Sequence, residues 1–312
     1  MRSRPSRASL RRPPRRRDGV ADDVSTTGTD HVGAGSAKRA ARPPRPPRER
    51  SGVPPLLVAP AALGLMFLII PLIGLMVRAP WTELPDQLGR EIVRDALMRS
   101  LYTASMATLT SLLLGIPIAV VLAHGRFRGR GLVRALVTVP LVLPPVVGGV
   151  ALFTALGRKG VIGEPLHDWT GWSLPFTTNA VIVAETFVAM PFLIIAVEGA
   201  LRGADSRFTE AAATLGATRW YAFRRVTLPQ IMPGVAAGAV LCWARALGEF
   251  GATVTFAGSL EGRTLVMPSA VYRELEAGRP GTAISLSLVL MSISVIVLAS
   301  LREHWISPAR TR

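Results

Sequence analysis

The chain has 312 residues, of which 49% are hydrophobic and only 18% charged, and its mean hydropathy is +0.38. That balance excludes an ordinary soluble domain, because the apolar residues gather into runs long enough to cross a bilayer. The net charge of +16 is unevenly placed: residues 1–55 carry +9 of it, which leaves the remainder only mildly basic.

In chain order, residues 1–55 come first, rich in Arg, Pro, Gly and Ser, as in "RRPPRRR" and "RPPRPPRER". Such a segment buries too little apolar surface to offset its ordering entropy, so a disordered cytoplasmic tail is expected. Its arginines suit a role in orienting the first span or touching anionic lipid rather than binding nucleic acid. It is a poor secretory signal peptide, since the charged region is long and the apolar segment after it has spanning length.

Six segments of spanning length follow, at 56–77, 97–123, 132–156, 179–201, 229–248 and 281–301. About 20 residues at 1.5 Å rise cross the hydrocarbon core, and backbone groups in lipid must be satisfied within the segment, so each is expected to be a helix. The expectation is an all-α integral membrane domain over 56–301 with a short cytoplasmic tail at 302–312. The run "PLVLPPVVGG" (140–149) should kink or partly unwind the third span. Six spans put both termini on one side. With the tail left out, the inner segments hold 12 Lys+Arg against 9 in the outer ones, which modestly favours both termini in the cytoplasm.

Glu185 and Arg245 fall well inside spans, where charge is costly and faces a protein interior or a cavity. Glu185 lies about 9 Å from the outer end of the fourth span and Arg245 about 24 Å from the inner end of the fifth, which places both in the outer third. Arg245 is therefore positioned to pair with Glu185 or, at i, i+4, with Glu249. Such a pair suits a gate, a cationic spot that meets an anion in transit, or a static structural contact. Cys242 is the only cysteine, so no internal disulfide can form, and it is expected to act as a small apolar residue. The four histidines show no metal-ligand spacing, and Lys38 and Lys159, the only lysines, are in no P-loop. No catalytic constellation stands out, so the chain is not expected to be an enzyme or to carry a cofactor.

Between the fourth and fifth spans lies a polar segment, 202–229, whose second part reads "EAAATLGATRWYAFRRVTLP". Asp205 or Ser206 can cap a first short helix, Gly216 can end it in the left-handed conformation, and Thr218 can cap a second helix before Pro229 opens the next span. Phe208, Ala211, Ala212 and Leu215 recur at helical spacing and form one apolar face. By its residues alone the segment suits either a helix lying on lipid or one that docks into a partner's groove.

Glu210-Ala211-Ala212, then Gly216, then Val226, Leu228 and Pro229 fit the pattern E-A-A-x3-G-x9-I-x-L-P, with Val226 in place of the isoleucine. This resembles the EAA loop of ABC-importer permeases. The stretches 143–166, 245–258 and 262–278 resemble the molybdate-type permease subunit, while sulfate permeases are similar at "EAAATLGATRW" and "LGEFGA". The resemblance covers most of 56–301 and leaves the arginine-rich tail outside. It implies a type I ABC-importer permease fold in a bacterial plasma membrane, with the loop as a coupling helix to an ATP-binding subunit. It further implies a homodimer with two such subunits, a periplasmic or lipid-anchored anion-binding protein, and an oxyanion substrate. Molybdate, with tungstate as its companion, is the expected cargo. Sulfate or thiosulfate is the nearest alternative, and an ion-coupled secondary transporter is the alternative of a different class.

Overall fold

The computed structural model describes residues 55–125 and 127–306. The arginine-rich tail ahead of Pro55 lies outside them, as does the end of the C-terminal segment beyond Ile306. Every regular element among the described residues is a helix. In order they form α1 (Pro55–Val77), α2 (Leu84–Gly89), α3 (Glu91–His124), α4 (Arg130–Val142), α5 (Pro145–Leu156), α6 (Gly163–Thr170) and α7 (Thr178–Gly203). There follow α8 (Ser206–Thr214), α9 (Arg219–Ala222), a π-helical turn (Phe223–Thr227), α10 (Leu228–Leu247), α11 (Gly251–Phe256), α12 (Met267–Glu276) and α13 (Pro280–Ile306).

Five helical runs are long and apolar enough to cross a membrane: α1, α3, α7, the continuous run Arg219–Leu247, and α13. The expected third span, 132–156, is not one helix. It is α4 and α5, bent by 118° at Leu143 and Pro144. Two consecutive prolines, Pro144 and Pro145, cannot continue the hydrogen-bond ladder, and the residue before a proline is driven to extended geometry. Leu143 takes that geometry, at φ −66° and ψ 133°. At 1.5 Å per residue the halves measure about 20 and 18 Å, and neither alone crosses a core of about 30 Å.

The centre is built by α3, α7 and α10. Helices α3 and α7 run parallel, with Thr103 beside Glu185 and Gly115 beside Leu193 and Ile194. Helix α10 runs antiparallel to α7, with Gly234 against Ala200 and Gly238 against Ala196. Small residues dominate these seams, among them the fully buried Ala104, Ala107, Ala119, Ala189 and Ala246. In lipid the hydrophobic effect gives helices no reason to associate, so close backbone approach and van der Waals contact must supply it. Helix α1, by contrast, keeps its whole apolar surface outward.

At one end of the bundle α12 is tied to α3 by the Met267 N–H, which donates to Ser100 Oγ at 2.8 Å. Arg279 grips Glu274 with two bonds of 2.6 and 2.9 Å, which holds the Glu274 carboxyl below its ordinary range. The grip sets the start of α13, where Gly281 lies against Pro80. From there α13 runs back along the bundle, and Leu290 and Ile293 join the main core.

The short helices α5 and α11 lie side by side. A side chain on Gly149 would place its Cβ 1.7 Å from Thr255 Oγ1 and 2.8–2.9 Å from the Ala252 backbone, and one on Gly251 would meet Pro145 at 2.8 Å. This contact is closed backbone to backbone, and only glycine fits. Gly149→Val should therefore destabilise the protein by about 1–3 kcal/mol, as over-packing does. The check is thermal unfolding of the detergent-solubilised protein, with Gly131→Val, where nothing lies within 4 Å, as the comparison.

Candidate functional site

The segment 202–229 forms a helical joint on the surface. Asp205 caps α8, its Oδ1 accepting from the Arg207 N–H at 3.0 Å. Gly216 closes α8 at φ +83°, a left-handed conformation that disfavours any residue with a Cβ. The Ala217 N–H returns to the Ala212 carbonyl at 3.0 Å and satisfies one of the helix's terminal acceptors. Thr218 then caps α9, its Oγ1 accepting from the Tyr221 N–H at 3.3 Å.

Beyond Ala222 the structure departs from the expectation of a second helix followed by a separate span. A π-helical turn, Phe223–Thr227, carries the chain from α9 into α10 without a break. Val226 sits in that turn, Leu228 begins α10 and packs on the main core, and Pro229 is the second residue of α10. The joint is thus continuous with the fifth span, whereas it is separated from α7 by the extended Ala204.

No residue of α8 is buried. Its apolar side chains are presented outward: Leu215 is 89% exposed, Trp220 of α9 is 70% and Phe208 is 59%. Glu210 and Ala211 are exposed, and Ala212 is partly covered in a shallow depression shared with Leu215, Gly216, Ala217, Thr218 and Tyr221. Trp220 stacks on Phe223 at 5.9 Å, which stiffens the turn beneath. The result is a short polar-backed helix with an apolar face, held at the end of a membrane bundle.

The residues singled out within the spans separate into two sets. Glu185, on α7, is buried and accepts from Thr103 Oγ1 of α3 at 2.9 Å. Arg245 pairs with Glu249 at 2.6 Å and not with Glu185, which corrects the cross-helix pairing as a reading and leaves the i, i+4 one. The reason is local: Glu185 faces α3, while Glu249 stands one turn beyond Arg245 where α10 ends. Glu249 has a second task, because its Oε1 accepts from the Ala252 N–H at 2.8 Å and caps α11. A third cluster, which the sequence reading passed over, joins α4 to α7. Glu198 accepts from Arg134 of α4 and, at 2.8 Å, from Arg202 of its own helix. The i, i+4 spacing of Glu198 and Arg202 is legible in the sequence, but nothing local points to Arg134, 64 residues away.

No group of three or more His, Cys, Asp or Glu among the described residues could hold a metal ion. A multi-helix apolar bundle bearing an outward-facing polar joint is the architecture of a membrane transport subunit. The chain belongs to the family of binding-protein-dependent transport system inner membrane components, whose sequence profile matches residues 111–311. It is 43% identical over 246 residues to the molybdenum transport system permease protein ModB of Mycobacterium tuberculosis, covering 79% of this chain and 92% of that one. With the protein of the same description from Escherichia coli K12 it shares 40% identity over 215 residues, covering 68% and 93%. The sulfate transport system permease protein CysT of the same organism is 30% identical over 239 residues, covering 76% and 86%. The fold is similar to that of a bacterial ABC transporter involved in the import of alginate, with a TM-score of 0.63 at 21% identity over 81% of this chain and 95% of that one. It also matches the methionine ABC transporter in an inward-facing conformation, with a TM-score of 0.52 at 21% identity over 69% and 96%. The protein is a multi-pass inner membrane protein of this permease fold.

The Arg245–Glu249 contact predicts strong coupling between those two positions. In a double-mutant cycle on thermal stability, Arg245→Gln and Glu249→Gln should interact by about 1 kcal/mol or more. Arg245→Gln combined with Glu185→Gln should lie closer to additivity. The reverse ranking would restore the cross-helix pairing.

Proposed function

We propose that this chain is the transmembrane subunit of an ATP-driven importer of molybdate, with tungstate carried alongside it. The observation that carries the reading is the 40–43% identity to molybdenum permeases over most of the chain, against 30% to a sulfate permease of similar coverage. Molybdate and tungstate are tetrahedral dianions of similar size, so a permease path has little by which to separate them. Sulfate is smaller, and selection against it belongs to a binding protein that surrounds the anion with fixed donors.

In this reading the subunit works as a homodimer with one path at its interface. Two ATP-binding subunits sit on the cytoplasmic side, and a periplasmic or lipid-anchored binding protein delivers the anion from the other. Both termini lie in the cytoplasm with the joint at 202–229. The sequence has no P-loop, so nucleotide chemistry belongs to the partner. The exposed apolar face of α8, with Glu210, Ala211, Ala212 and Gly216, is the docking element, and Val226, Leu228 and Pro229 carry its movement into α10. ATP-driven closure of the motor pair displaces the joint, and the spans alternate between inward- and outward-open arrangements. The anion is held weakly along the path, because a site too favourable would not release it. Among Glu185, Arg245 and Glu249, Arg245 is the partly exposed cation and the one suited to meet a passing anion.

Deletion of the chain should abolish uptake of labelled molybdate at low external anion, and its restoration should recover it, with sulfate uptake unchanged throughout. Loss of sulfate uptake alone would transfer the protein to the sulfate branch. Uptake that persists when the ATP-binding subunit is removed would favour a secondary transporter.

For the joint, Gly216→Val should leave membrane insertion intact yet weaken retention of the ATP-binding subunit on co-purification, by about tenfold if the strained turn costs 1–2 kcal/mol. Glu210→Lys should act in the same direction. Unchanged co-purification and uptake in both variants would remove the segment from coupling.

A further inference from the structure

The cluster around Glu198 has a place in the fold that its chemistry alone does not require. Helix α4 contributes no buried residue to the protein. Its apolar contact with the main core is limited to the partly buried Val133 and Val137, while Leu132, Leu136 and Val142 face outward. Lipid tails are as apolar as those side chains, so apolar contact gives α4 little preference for the bundle over the bilayer. The ion pair of Arg134 with Glu198 is a different kind of contact. Glu198 is 8% exposed, and its Oε1 serves both Arg134 and Arg202, each of which stays about half exposed. Neutralising this one carboxylate would leave two guanidinium groups facing each other with no counter-charge between them, and α4 would lose its strongest tie.

The two ends of that tie lead to different machinery. Glu198 stands in the last turns of α7, which ends at Gly203, and α8 starts at Ser206. Helix α4 leads through Leu143 and Pro144 into α5, which is closed on α11 at Gly149 and Thr255. Helix α11 in turn is capped by Glu249, the partner of Arg245. We infer that Glu198 is a positioning residue for coupling: its carboxylate clamps α4 to the joint-bearing end of α7, so that displacement of the joint is carried through α4 and α5 to the α11 region. The inference rests on the importer reading above.

The test uses the complete complex in proteoliposomes, with its ATP-binding subunit and binding protein, and reads molybdate transported per ATP hydrolysed. Assembly and thermal stability of each complex are measured in parallel. Glu198→Gln and Arg134→Gln should each lower that ratio by about fivefold or more in assembled complexes, and the exchanged pair R134E/E198R should return it to within about twofold of the unmodified value. The exchange again sets a carboxylate opposite a guanidinium across α4 and α7, so recovery follows the charge pair and not the shape of either side chain. An unchanged ratio in both single variants overturns the inference, as does failure of the exchange to recover a ratio that both single changes have lowered. If Glu198→Gln does not assemble, Arg134→Gln decides alone: its guanidinium is half exposed, and a normal ratio there also overturns the clamp. The importer reading fails separately, and takes the clamp with it, if the unmodified chain transports molybdate without the ATP-binding subunit.

Discussion

Every break in a helix of this protein must be reconciled with one constraint: inside a bilayer, a backbone N–H or C=O finds no water to bond. Long helices satisfy most of it within themselves, and α1, which faces outward, runs unbroken although Pro60 and Pro71 each withhold one backbone donor. At two of the interruptions protein supplies a partner or a close contact. At the end of α10 the carboxylate of Glu249 meets the Ala252 N–H and so opens α11. At the bend between α4 and α5, Pro144 and Pro145 bring no N–H to satisfy, and Pro145 and Gly149 lie against α11. The irregular parts therefore gather on one another, and the α5–α11 contact is where the two broken elements share their cover.

The same constraint separates stable packing from movable packing. Seams between α3, α7 and α10 are closed by alanine and glycine at backbone distance, a geometry that is lost steeply with separation. Helices α1 and α4 offer mostly large apolar side chains to their surroundings, which lipid solvates as well as protein does. The position of α4 is set by few contacts, the Arg134–Glu198 pair among them. A transporter needs both kinds, since a rigid core defines the states and loosely held elements move between them.

Much of this was legible in the sequence, and the remainder was not for identifiable reasons. Spanning lengths follow from hydropathy alone, so five of the six expected segments correspond to long helical runs. The caps of the joint, Asp205, Gly216 and Thr218, follow from local hydrogen-bond chemistry and stand where their residue types suggested. The proline pair announced a kink in the third segment, but its 118° depends on how α5 packs against α11, which no local rule contains. The π-helical turn was invisible because nothing in "FRRVT" distinguishes it from ordinary helix. Ion pairs divided by range: Arg245–Glu249 lies one turn apart and was readable as one of two options, whereas Arg134–Glu198 needs the tertiary fold. Glu185 found a neutral partner, Thr103, because helix α3 places a hydroxyl there, and a search among charges could not have found it.

The π-helical turn makes the joint mechanically lopsided. On one side Phe223–Thr227 fuses it to α10, so the fifth span is the shaft of a lever whose short arm is α8 and α9. On the other side the chain passes from α7 to α8 through Ala204, which is extended and belongs to neither helix. In the proposed coupling, a push on the joint reaches α10 through unbroken helix and α7 through that short extended link, from which the Glu198 contact leads on to α4. Two spans connected to the same surface helix in this way meet it through unequal links, one helical and one extended.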